Sequence, residues 1–436
     1  MNSNIQHDPI WLSATTRRVP PFRHRAAASG DTSTAPGTVM TMTSGRRSVE
    51  EHVQHVARLL EPLRTAGSVT IPLAAALGRT LTETIHAPID LPAFRNSQMD
   101  GYAVSAASLV GAPVTLPVAS VVAAGDAVSA LPPGAALKIM TGAPIPDGAD
   151  AVVPVEDTDA GSENVLIRRP VGPGEFVREA GSDIRAGAPM LESGTHLAAR
   201  HIAALAAVGI TAVPIRRRVR VAVISTGSEL VTAGHPLPAG KIYNSNGPAL
   251  AASALANGAD IVSIDHSSDD RDEFARMLAH AVSVADVVFT SGGVSKGDFE
   301  VVKDCLGPLG GEFVSVAMQP GGPQGTAVVD GVPVLAFPGN PVSTLVSFEV
   351  FARPLLRELT GLPAVAPVEL PLSAPVTSIP GRRQFLRGRL DGTTVTSMAG
   401  HGSHLVAAMA TADALLDIPA DTDALDTGDL VKVLPL

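Results

Sequence analysis

The sequence predicts a multidomain α/β protein, built on a doubly wound parallel-sheet domain with small β domains and an α/β N-terminal part around it. Three observations carry this. First, three apolar runs in the second half end in loops of Gly, Ser, Thr and Asn: 221–230 (VAVISTGSEL), 286–298 (DVVFTSGGVSKGD) and 334–343 (VLAFPGNPVS). Uninterrupted apolar runs of this length suit strands covered on both faces of a parallel sheet. Second, segments of helical character separate short strand-like runs between residues 219 and 362, the alternation of a doubly wound sheet. Third, 110–177 and 363–436 are rich in Pro, Gly and Val with short strand-like runs, which reads as small β domains.

The elements follow in order. Residues 1–45 hold Arg17, Arg18, Arg23 and Arg25 among Ser, Thr, Ala and Pro, without apolar periodicity. They read as a disordered tail; a targeting peptide is the other reading. A helix is expected over 48–60: Ser48 with Glu51 makes a capping box, Val49, Val53, Val56, Leu59 and Leu60 make an apolar face, and Pro62 ends it. His52 and His55 are expected on its exposed side. Residues 69–93 are broken by Pro72, Pro88 and Pro92. Strand-like runs at 114–118 and 151–155 belong to the first β domain. A helix at 197–208 ends at Gly209, and 216–220 (RRRVR) forms a basic hinge. Then come helix 248–257, strand 261–265, helix 270–284 and strand 286–290. The last β domain contributes runs at 366–372, 385–390 and 430–434. The expected domains are 46–90 with 178–216, an insert at 91–177, the α/β domain at 217–362 and a C-terminal β domain at 363–436.

Composition narrows the function. At 436 residues, two to four domains are expected, and 45% hydrophobic residues with a mean hydropathy of +0.25 mark a folded chain. A formal net charge of −10 argues against nucleic acid or an anionic membrane as partner. The single cysteine, Cys305, leaves no disulfide framework and suits a reducing, cytoplasmic setting. No apolar run reaches membrane-spanning length. Neither a Walker A sequence nor a Gly-x-Gly-x-x-Gly fingerprint occurs.

In a doubly wound sheet the loops at the strand carboxyl ends form the ligand crevice. Glycines there let backbone N–H groups approach an anion, and Ser and Thr add donors. The chemistry-bearing acids sit in such loops. Asp100, within 96–104 (NSQMDGYAV), is either a turn carboxylate that holds Mg²⁺ or orients substrate, or an ordinary Asp-Gly turn. Thr141 offers a hydroxyl in a similar short loop. Glu229, Asp269, Asp298 and Glu300 follow strand ends. Either a divalent cation bridges such acids to phosphate oxygens, or Glu229, Asp269 and Glu300 sit at helix N-termini favoured by the dipole.

Six segments in order, 96–103 (NSQMDGYA), 139–143 (IMTGA), 181–184 (GSDI), 225–230 (STGSEL), 291–295 (SGGVS) and 338–343 (PGNPVS), closely resemble the molybdopterin molybdenumtransferases, the bacterial MoeA proteins and the C-terminal domain of gephyrin. The resemblance covers about 46–436. It implies an elongated four-domain homodimer with a MogA-like α/β domain, acting in the last step of molybdenum cofactor synthesis. Adenylylated molybdopterin and molybdate bind, the pyrophosphate link is cleaved with Mg²⁺ assisting, AMP leaves, and molybdenum joins the dithiolene. It maps active-site residues to Asp100, Thr141, Asp183, Glu229 and Asp269, with Ser403 from the C-terminal domain. On this reading Gly292, Gly293, Ser295, Lys296, Gly339, Asn340 and Ser343 cradle phosphate or oxyanion, and Asp100, Glu229, Asp269 and Glu300 hold Mg²⁺. The chain departs from the family at 318–324 (MQPGGPQ). Many members have Lys-Pro-Gly-Lys-Pro there; Gln319 and Gly322 replace those lysines, and Ser315 stands where a third lies upstream. A pterin-binding relative with little turnover is the alternative that these losses allow.

Overall fold

The computed structural model describes residues 46–436 apart from Ala66, 296–299, Ala399 and His401. The expected tail at 1–45, Lys296 and Asp298 therefore lie outside the described residues.

A six-stranded sheet forms the centre, in the order Asp260–Ser267, Arg220–Thr226, Val287–Ser291, Val332–Phe337, Pro323–Val329, Glu312–Ser315. The first four strands are parallel. The last two run antiparallel, so the expected all-parallel sheet carries an antiparallel hairpin along one edge. Alternating side chains serve two cores, as the two-residue period of a strand requires. Val221, Val223, Val287, Phe289, Leu335 and Phe337 face one. Ala222, Ile224, Val288, Val334 and Ala336 face the other. Burying both faces is what makes these runs uniformly apolar. The edge strand Asp260–Ser267 instead alternates, with Val262 and Ile264 exposed.

Helix α1 (Val49–Leu60) starts at N-cap Ser48 with the expected capping box to Glu51. Its apolar face joins the central core beside Val316, Phe348 and Phe351. The expectation for its histidines is overturned. His52 is 2% exposed and packs edge-on against Phe351 at 4.6 Å. His55 is half-buried, with Nε2 2.9 Å from Thr326 Oγ1. His52 lies three residues after Val49 and four before Val56, so the helical period carries it into the apolar stripe.

Strand Ser68–Pro72 pairs with Ala212–Arg216, and Ile85–His86 with Pro189–Leu191, around a core containing Leu81, Leu197, Leu205 and Ile215. Between them in sequence lies a five-stranded sheet in the order Ala151–Pro154, Gly101–Val104, Ala136–Ile139, Val114–Val122, Asn164–Ile167. The C-terminal sheet is built on Arg383–Asp391, Ala414–Ile418, Leu430–Pro435 and Val368–Pro371. Met318–Gln319 joins it by pairing in parallel with Arg383–Asp391. The lysine-poor segment thus stitches the α/β domain to the C-terminal sheet. Among the described residues, no helix is long and apolar enough to cross a membrane.

Candidate functional site

The three glycine loops meet because parallel neighbours end on the same edge of the sheet. Gly292 and Gly293 adopt φ of +97° and +64°. A Cβ on Gly292 would lie 2.6 Å from Thr226 Oγ1, and one on Gly293 2.9 Å from the Val302 backbone nitrogen, so glycine is required at both. A Cβ on Gly339 would stand 3.4 Å from Gly292 Cα, which places the second and third loops side by side. Asn246, at the start of helix Asn246–Ala256, ties them: its Nδ2 donates to Ser291 Oγ at 2.8 Å and to Gly339 O at 2.7 Å. The Thr344 hydroxyl donates to Pro338 O at 2.6 Å. Asn246 and Thr344 were not expected from the sequence; a polar residue in the first turn of an Ala-rich helix was the available signal for Asn246.

The acids divide by role. Ser228 N donates to Asp269 Oδ2 and Asp269 N donates to Ser228 Oγ, both at 3.1 Å. This reciprocal pair locks the loops after Arg220–Thr226 and Asp260–Ser267 together. The Glu229 carboxylate folds over Gly227, where a Cβ would meet Oε2 at 2.4 Å. Glu229 leads into the short strand Leu230–Val231, so no helix dipole explains it. Glu300 is the N-cap of Val301–Leu306 and accepts from Ser295 N at 2.8 Å. Asp270, not Asp269, is the N-cap of Arg271–Val284. Lys241, also missed, donates from Nζ to Ser228 O at 2.6 Å.

Asp100 and Thr141 are brought together on the inserted sheet. Oδ1 of Asp100 accepts from Thr141 N at 2.7 Å and from the Thr141 hydroxyl at 2.8 Å. These bonds favour the ionised form and hold the Asp100 carboxyl below the usual carboxylate range. The following Gly101 permits the turn, since a Cβ there would be 1.9 Å from Val153 O. Asp183 is exposed on another turn, its N–H donating to Leu91 O at 2.9 Å, and among the described residues no side-chain bond joins it to the other candidates.

Among the described residues, no three His, Cys, Asp or Glu side chains converge on one point that could hold a metal ion. The expected quartet of Asp100, Glu229, Asp269 and Glu300 is therefore not assembled: Asp100 belongs to the inserted sheet and Glu300 accepts from Ser295 N. Glu229 and Asp269 remain beside the glycine loops, Glu229 exposed and Asp269 half-buried. Two hard oxygen donors fit Mg²⁺, which commonly takes one or two carboxylates and completes its shell with water and substrate phosphate.

A second concavity of about 230 Å³ opens where the α/β domain meets the C-terminal sheet. Ser343 and Ser403 line it, with Gln319 and Gly322 from the lysine-poor segment and the guanidinium-bearing Arg46 and Arg382. Ser403 is held there by its own carbonyl, which accepts from Val342 N at 3.1 Å. Arg387, 4% exposed, props this loop by donating to Gly402 O at 3.0 Å and Gly400 O at 2.6 Å.

Comparison with known proteins fits this layout. Residues 47–209 match the family model "MoeA N-terminal region (domain I and II)", 222–358 match "Probable molybdopterin binding domain", and 369–436 match "MoeA C-terminal region (domain IV)". Molybdopterin molybdenumtransferase 2 of Mycobacterium tuberculosis is 45% identical over 412 residues, which span 89% of this chain and 100% of that protein. The chain belongs to the molybdopterin molybdenumtransferase family. The family's Nostoc sp. molybdopterin molybdenumtransferase is 37% identical across 84% of this chain and 88% of its own. A crystal structure of the molybdopterin biosynthesis MoeA protein of Pyrococcus horikoshii superposes with a TM-score of 0.75 at 35% identity, covering 87% of this chain and 98% of that one. Family membership gives the two concavities a common context: the glycine-loop crevice lies within the molybdopterin-binding match, and the junction cavity is completed by Ser403 from the C-terminal match.

Proposed function

We propose that this chain is a molybdopterin molybdenumtransferase, taking adenylylated molybdopterin and molybdate and releasing AMP as molybdenum joins the dithiolene. The observation that carries the reading is the crevice at the ends of three parallel strands, in a chain 45% identical to a molybdopterin molybdenumtransferase over 89% of its own length. Gly292, Gly293 and Gly339 present backbone to the phosphates, and Asn246 keeps the two loops at fixed separation. Glu229 and Asp269 would hold Mg²⁺ against the pyrophosphate, which supplies charge neutralisation there. Asp100, oriented by Thr141, presents a fixed negative charge that positions the substrate. Molybdate is assigned to the junction cavity, where Ser343 and Ser403 offer hydroxyl donors. Because Asp100 and Thr141 sit on a different sheet from Glu229 and Asp269, a homodimer is the arrangement that lets the two halves face each other.

The test is AMP release from adenylylated molybdopterin on adding molybdate to the purified chain, with rescue of cells that lack their own molybdenumtransferase. Molybdate-dependent AMP release together with rescue is expected. Failure of both in a folded protein would sink the reading.

A further inference from the structure

The junction cavity has lost the cations expected on its own loop. Ser315, Gln319 and Gly322, where the resemblance to the family leads one to expect lysines, are all neutral and all line it. The positive charge in its wall comes from two other elements. Arg382 lies just ahead of strand Arg383–Asp391, and its Nη1 is 3.5 Å from Gln319 Oε1. Arg46 comes from the far end of the chain, two residues before the N-cap of α1.

Backbone bonds hold Arg46 there. Arg47 N donates to Ser315 O at 3.0 Å, and Ala317 N donates to Arg47 O at 2.8 Å, so this short stretch lies alongside the lysine-poor segment. Side chains of an extended stretch alternate in direction. The Arg47 guanidinium goes to Glu312 and His52. Arg46 goes to the cavity and makes no hydrogen bond or ion pair among the described residues. The capping box of Ser48 and Glu51 fixes the chain immediately after it.

We propose that Arg46 supplies the charge that positions 315, 319 and 322 no longer provide, so that the segment ahead of α1 sets the affinity of this cavity for a doubly charged tetrahedral oxyanion. This rests on the assignment of molybdate to the cavity. A guanidinium stays ionised at any working pH and offers a fork of N–H donors to oxyanion oxygens. The cation has been relocated to a separate element, which explains how a cavity with a neutral loop can still attract an anion.

The test is equilibrium binding of molybdate to the full chain by titration calorimetry, with AMP release followed in parallel. Arg46 is exposed, so Arg46→Ala should leave the melting temperature unchanged while weakening molybdate binding by roughly tenfold at low salt. Arg46→Lys should keep most of the affinity. Adding Gln319→Lys to Arg46→Ala should restore it, by returning a cation to the loop. Unchanged binding in Arg46→Ala, or no molybdate binding by the parent chain, overturns the proposal even if AMP is released. Arg46-dependent binding without AMP release in the parent chain supports the proposal and sinks the transferase reading instead.

Discussion

Thr141 directs both its backbone N–H and its hydroxyl at one oxygen of Asp100, at 2.7 and 2.8 Å. That leaves Oδ2 of Asp100 exposed and the carboxylate fixed in direction. Asp100→Asn should keep the fold, because the amide oxygen can accept the same two bonds. Loss of the charge should lower AMP release roughly 10²-fold, the scale of single electrostatic groups in other enzymes. Thr141→Val removes only the hydroxyl bond and should cost about tenfold. The check is initial rates of AMP release with circular dichroism on the same samples; near-parental rates for Asp100→Asn would remove this pair from the mechanism.

The two glycine loops make opposite predictions for the same substitution. At Gly292 a methyl would strike both Thr226 Oγ1 and Thr226 O, on backbone at φ +97°. Gly292→Ala should destabilise the α/β domain by about 3 kcal/mol or more. At Gly339 no positive φ is needed, and the methyl would meet the Gly292 backbone at ordinary contact distance, Cα at 3.4 Å and N at 4.0 Å. Gly339→Ala should fold normally but narrow the gap between the loops, raising KM for the pterin substrate several-fold. Urea melts and a substrate titration separate the two outcomes.

The contrast between these loops and the rest shows what local sequence carries. The strand-loop pattern at 221–230, 286–298 and 334–343 corresponds to three strands of the central sheet, since burial on both faces leaves a continuous apolar signature. The edge hairpin of Pro323–Val329 and Glu312–Ser315 was not legible, because the direction of a strand leaves no mark in its composition. His52 was misjudged by residue type: a neutral imidazole packs well on Phe351, but a polarity pattern counts it as solvent-facing. Arg46 and Arg382 could not be joined to Gln319 from sequence at all. They are hundreds of residues apart or belong to another domain, and only the pairing of strands Met318–Gln319 and Arg383–Asp391 brings one of them near.

Buried His52 should make the fold acid-sensitive well above the carboxylate range. Burial, aided by the nearby Arg47 charge and by His55, pushes its pKa down to about 3. The unfolded chain binds the proton below about pH 6.5 while the folded chain does not, so stability is full above that value and falls as pH drops toward 3. The slope from this one group approaches about 1.4 kcal/mol per pH unit. His52→Leu should lose about 1 kcal/mol at pH 8 through altered packing, yet overtake the parent below about pH 6. Urea unfolding at pH 8, 6 and 5 measures this, and parallel pH curves for the two proteins would contradict it.

Restoring lysines to the junction cavity tests the placement of the oxyanion directly. Gly322 does not occupy the left-handed region, and a Cβ there would sit 3.3 Å from Val316 O and 3.6 Å from Met318 O. A side chain is therefore tolerated with a shift of a few tenths of an ångström, unlike at the neighbouring Gly321, whose φ is +99°. Gln319 is only half-buried and its Oε1 contacts Arg382 weakly at 3.5 Å. A lysine at 319 would lose that contact and repel Arg382, so a new cation's gain arises only if an anion sits between them. Each cation contacting a partly desolvated dianion is worth about 1 kcal/mol or more. Gln319→Lys with Gly322→Lys should thus lower the molybdate concentration for half-maximal AMP release by roughly tenfold or more, and the gain should shrink as salt rises. The melting temperature should fall slightly in the absence of molybdate, from the repulsion of the two new lysines with each other and with Arg46 and Arg382, and recover on adding it. A folded double variant with unchanged molybdate dependence and no recovery of melting temperature would move the oxyanion out of this cavity.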